Sequence, residues 1–149
     1  MLNHTLKKLF NRDLHKLKAE IESYKNETNL WIIDKSIANS AGNLCLHLIG
    51  NLNTYICSTL GGSSYIRNRE LEFSLKDVPR GELIEKIDQT IEVINRTFDE
   101  MTMEEMESEY PLLVFEGKTS TEYFLTHLAT HLAYHLGQIN YHRRLLDIA

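Results

Sequence analysis

The 149-residue sequence predicts an all-α fold, a four-helix bundle with long crossover connections. Three observations carry this. Apolar residues recur at three- and four-residue steps through four long stretches. Two prolines and seven glycines leave those stretches largely uninterrupted. The connectors on either side of the third stretch are too long to be tight hairpins. A single domain over residues 1–149 accounts for the whole length.

The first helix is expected over residues 2–24, where Leu6, Phe10, Leu14, Leu17 and Ile21 form one stripe and lysines and glutamates fill the other faces. A polar stretch at 25–29 ends it. Leu30, Trp31, Ile32 and Ile33 then form a short apolar anchor whose conformation the pattern leaves open. The second helix is expected to start near Ser40, a good N-cap, and to stop at Gly61 and Gly62. Leu44, Leu48, Leu52 and Ile56 make its stripe, and Leu46 and Ile49 lie off it, so this helix should be deeply buried. Residues 63–78 carry no helical period, yet they hold Tyr65, Arg67, Arg69, Glu70, Glu72 and Phe73, and an unstructured loop of that length is often functional. The third helix is expected from Pro79, proline suiting a first turn, to about residue 106. Its stripe is Leu83, Ile87, Ile91, Ile94 and Phe98. A strand-like run at 112–115 follows, broken by Gly117. The last helix begins at Ser120 or Thr121, with Glu122 favouring its N-terminus, and runs almost to the end.

Hydrophobic residues make up 42% and charged residues 25%, so a packed domain is expected, not a disordered chain. The net charge of −5 argues against sequence-independent nucleic-acid binding, which needs a basic face. No apolar stretch is long enough to span a membrane. Residues 1–10 alternate polar and apolar types and so lack a signal-peptide core. Cys45 and Cys57 are twelve residues apart on one helix, about 18 Å along its axis. They cannot bridge each other and read as small buried hydrophobes, which suits a reducing compartment.

Four of the seven histidines, His127, His131, His135 and His142, lie on the last helix. At 3.6 residues per turn they fall within an arc of about 80°. Two imidazoles four residues apart are ~6 Å apart at Cβ and can converge on one ion through bonds of ~2.0–2.1 Å. His142 lies roughly 10 Å beyond His135, too far to share that ion. The apolar stripe of Leu128, Leu132, Leu136 and Ile139 places His131 and His135 toward the interior and leaves His127 at the rim. A bundle site also draws on a facing helix. The second helix offers His47, on the edge of its stripe near Asn51. Three histidines with an open fourth position form a catalytic type of site and suit zinc, nickel, copper or iron.

The segment His131-Leu-Ala-Tyr-His135-Leu-Gly137-Gln138-Ile139 resembles the His-x-x-x-His-x-Gly-Gln pattern of the DinB-like superfamily of metal-binding four-helix bundles. Residues 39–52, with Asn39, Ser40, Gly42, Asn43, His47, Gly50 and Asn51, are similar to its second-helix signature, in particular to DUF1572-type members. Arg67, Arg69, Glu70, Glu72 and Phe73 resemble the charged loop that follows in those members. The resemblance covers nearly the whole chain. It implies metal ligation by His47, His131 and His135, and a cytoplasmic bacterial protein that is often a homodimer. Some relatives use the metal to bind a low-molecular-weight thiol and transfer or isomerise through it.

Three functions are therefore weighed. The first is a metal-dependent enzyme, a thiol-dependent S-transferase or a hydrolase, in which zinc or nickel lowers the pKa of a thiol or water. Arg67 and Arg69 would hold carboxylates of a small-molecule ligand or thiol, and Glu70 or Glu72 would serve as general base. Asn51 and Tyr55 would line the pocket, and Gln138 would orient a metal ligand. The second is a non-catalytic metal- or small-ligand-binding protein, with His127 closing the metal shell and His142 extending a metal-binding face. The third is a structural bundle with histidines at a dimer interface, to which Trp31 and the 112–115 run would add apolar contacts.

Overall fold

A computed structural model describes residues 1–148; the last residue, Ala149, lies outside the described residues. The described residues are helical with no strand, and comprise six α-helices. They are α1 (Leu2–Ser23), α2 (Ala41–Leu52), α3 (Arg69–Ser74), α4 (Arg80–Glu100), α5 (Met103–Glu107) and α6 (Thr121–Leu146). A 3₁₀ turn covers Glu27–Trp31, and a π-helical turn, Asn53–Ser58, continues α2.

The long helices arise where the stripes lie. Leu6, Phe10, Leu14, Leu17 and Ile21 of α1 are all fully buried, as are Leu83, Ile87 and Ile94 of α4. The helix α1 packs against α4 and α6, while α2 packs against α6, α4 and α3. Surface pairs set the registers of α1. Lys18 Nζ lies 2.9 Å from Asp88 on α4, Asn11 pairs with Asn95, and Glu20 accepts from Asn140 and Arg143 of α6, each at 2.6 Å. The exposed Lys18–Asp88 pair orients the helices more than it stabilises them, and the others are part-buried. Every residue of α2 is buried, as its apolar content off the stripe implied. Ser40 caps it by accepting from the Asn43 amide at 3.1 Å. Gly42 lets it meet the 3₁₀ turn: a Cβ there would come within 2.6 Å of the Trp31 ring. Trp31, half-buried, thus packs against the core of its own chain.

The boundaries differ from expectation in four places. The second helix does not run as α-helix to Gly61. Beyond Leu52 its bonds widen, with the Thr59 amide reaching Thr54 O and the Gly61 amide reaching Ile56 O. The side chain of Asn53 competes for the backbone there, donating to Ile49 O and to Thr90 Oγ1, both at 2.8 Å. The third helix ends at Glu100, not residue 106, because Thr102 caps a new helix through a reciprocal capping box with Glu105. The 63–78 connector contains α3, which is too short to show a period and starts where Asn68 accepts from the Leu71 amide. The 112–115 run is not a strand. The only pairing nearby is an isolated bridge between Glu109 and Ser120, and Phe115 turns in against Phe124 instead. Among the described residues no helix is long and apolar enough to cross a membrane.

Candidate functional site

The helix α6 aligns His127, His131 and His135 on one side, each half-buried. The buried helix α2 brings His47 against them. His47 Nε2 lies 3.3 Å from His131 Nε2. The rings of His131 and His135 stand perpendicular with centroids 4.6 Å apart, and those of His47 and His135 are 5.4 Å apart. One nitrogen from each of His47, His131 and His135 lies within 4.8 Å of the other two. Two nitrogens on a tetrahedral ion with bonds of ~2.0–2.1 Å would be ~3.3–3.4 Å apart, so the His47–His131 spacing already suits shared ligation.

The hydrogen bonds behind these rings set which nitrogen faces inward. His47 Nδ1 donates to Glu72 Oε1 at 3.1 Å, which leaves the Nε2 lone pair facing His131. His135 Nδ1 donates to Gln138 Oε1 at 2.7 Å, likewise freeing its Nε2. His131 Nδ1 is buried with no partner. Burial and the neighbouring imidazoles push His131 down to about 4, and burial also lowers His47 despite the Glu72 carboxylate. Both are therefore neutral at pH 7, the state a metal ligand requires. Three imidazoles, two with their outer nitrogens already bonded, fit a divalent ion of the zinc or nickel type.

A pocket of about 290 Å³ opens beside His47 and His131. Asn51, Tyr55, Arg67, Arg69 and His127 supply its polar wall, and Val114, Phe124 and Leu128 its apolar one. The π turn helps here. Each four-residue step along an α-helix drifts by about 40°, and a wider turn cancels that drift, so Tyr55 stays on the side of His47 and Asn51. Asn51 Oδ1 is buried without a partner, an acceptor awaiting a donor. A larger cleft of about 360 Å³, lined by Thr59, Thr97 and Glu105, contains no histidine, cysteine or cation.

The remaining candidates divide. Arg67 lines the pocket, and its Nε and one terminal guanidinium nitrogen hold Glu72 through bonds of 2.8 and 3.0 Å. Glu72, only 5% exposed, is tied to Arg67 and His47, so it is not poised as a general base. Arg69 is exposed and lines the pocket, whereas exposed Glu70 does not. His127 stacks on His131 at 6.3 Å and meets Phe115 edge-on at 4.8 Å, outside the three-nitrogen cluster. His142 belongs to no metal face. It is buried, its Nδ1 2.7 Å from Tyr24 Oη and its Nε2 donating to Ile32 O at 2.9 Å. The sequence missed the role of Gly50. A Cβ at that position would lie 1.9 Å from Glu72 Oε2. Its one signal was a glycine inside an otherwise continuous helix, one turn from His47.

No curated protein matches the chain. Residues 3–148 match the family described as "Protein of unknown function (DUF1572)", and the chain belongs to that family.

Proposed function

We propose that His47, His131 and His135 hold one divalent ion, zinc or nickel, in a four-helix bundle of the DinB-like kind formed by α1, α2 with its π turn, α4 and α6. The protein is then a metal-dependent enzyme, a thiol-dependent S-transferase or a hydrolase. The observation that carries this is the meeting of three imidazoles within 4.8 Å, from two helices far apart in sequence. Such an ion would lower the pKa of a thiol or water at its open position. The pocket beside it supports a small-molecule ligand. Arg69 offers a cation for a carboxylate, Asn51 Oδ1 offers an acceptor, and Tyr55 and Phe124, whose rings meet edge-on at 5.3 Å, offer an apolar wall. The stacked position of His127 favours an open fourth site over a closed, non-catalytic one. A homodimer in the cytoplasm is part of the same reading.

The test is elemental analysis of protein purified without a histidine tag, beside the His135→Ala variant. About one equivalent of metal in the parent and a large loss in the variant is the expected result. A parent that stays metal-free after incubation with zinc or nickel refutes the ligand set.

A further inference from the structure

The carboxylate of Glu72 is more completely enclosed than any other glutamate side chain in an ion pair here, yet it does not line the pocket beside the histidines. Three features hold it in place. Arg67 grips both its oxygens, His47 Nδ1 donates to one of them, and Gly50 vacates the space that Oε2 fills. The backbone that carries it is pinned too. Asn43 Nδ2, on α2, donates to Glu72 O at 2.9 Å and to Leu75 O at 2.8 Å. Phe73 lies against the His47 ring at 5.0 Å between centroids. All of α3 is thereby docked on α2 through the outer side of one imidazole.

We propose that Glu72 is a positioning residue that couples the metal centre to α3. Its carboxylate fixes the His47 tautomer and raises the basicity of the Nε2 that faces the ion. Coupling is reciprocal: whatever Glu72 adds to metal affinity, the metal adds to the docking of Glu72. Filling the centre therefore firms α3, and with it the segment that carries Arg69 to the pocket. Position 50 is glycine because only a missing Cβ lets the carboxylate pass between the two helices. This inference rests on the three-histidine reading, and goes beyond it in naming what lies behind the ligand.

The experiment titrates Zn²⁺ against a chromophoric chelator in the full-length parent, Glu72→Gln and Gly50→Ala, with hydrogen exchange of the 69–75 amides followed with and without zinc. Glu72→Gln keeps the volume and an acceptor but removes the charge; Gly50→Ala keeps every polar group but displaces the carboxylate. Both should bind zinc 10–100-fold more weakly than the parent, the range typical for such outer partners. Zinc should protect the 69–75 amides in the parent and much less in either variant. If the parent binds zinc and either folded variant binds equally well, the positioning role is overturned while the three-histidine site stands. A parent that binds no zinc overturns both. Circular dichroism identifies a variant that fails to fold, and the other variant then decides.

Discussion

At the scale of single residues, the chemistry turns on where side chains are absent as much as where they are present. Gly42 and Gly137 are both helical, but only Gly42 is pressed, by the Trp31 ring. Gly42→Ala should destabilise the protein by about 1–3 kcal/mol, as overpacking does. Gly137 has open space around its missing Cβ, so Gly137→Ala should stabilise by about 0.5–1 kcal/mol through helix propensity. Urea midpoints at unchanged slope would check both, and a Gly42→Ala midpoint at or above the parent's would remove the indole contact as a constraint. His131, His135 and Gln138 were legible in the sequence because helical spacing puts them on one side of α6, while His47 was legible as a histidine at the edge of a facing helix's apolar stripe. The fate of Glu72 was not. Its partners lie 5 and 25 residues away, on elements whose approach no local pattern encodes. The two cysteines read correctly as buried hydrophobes, and burial raises both thiols to about 12, far from reactive.

At the scale of elements, periodicity and the Ser40 and Ser120 caps located the long helices, but three places where a side chain captured the backbone were missed. Asn53 widened the end of α2, Thr102 with Glu105 split α5 from α4, and Asn68 started α3. These are local hydrogen-bond competitions, invisible to an apolar stripe. The connector from Tyr24 to Ser40 shows the same principle at long range. It is tied to the last helix by His142, which bridges Tyr24 Oη and Ile32 O, and by Asp147, which accepts from the Lys25 amide at 2.6 Å. Burial holds the His142 pKa below its ordinary value. The folded protein therefore binds this proton less readily than the unfolded chain, and His142 costs stability as the pH falls below ~6.5. His142→Gln keeps a donor and an acceptor but does not titrate. Metal-free His142→Gln should lose less stability than the parent between pH 7 and pH 5, read as denaturant midpoints at each pH. Parallel losses would show that His142 is not the group that titrates.

At the scale of the whole molecule, metal and protons compete for the same folded state. His47 and His131 are neutral when folded at pH 7, and each has a lowered pKa, His131 to about 4. Unfolding frees them to take up protons from about pH 6.5 downward, so acid destabilises the metal-free protein through the same rings that would ligate the ion. An ion that binds only the folded chain adds about 2.7 kcal/mol of stability at a hundredfold excess over its Kd. For a chain of this length that raises Tm by about 5–10 °C. The rise should be lost as the pH falls through the lowered folded-state pKa of His131, about 4, because a protonated imidazole cannot ligate. Differential scanning fluorimetry with zinc at pH 7, 5.5 and 4, against a chelator-treated control, reads this directly. A zinc-dependent rise that His131→Ala leaves intact would place the ion on other groups. A rise that fades toward pH 4, and is lost in His131→Ala, ties the stability of the fold to the three-histidine centre.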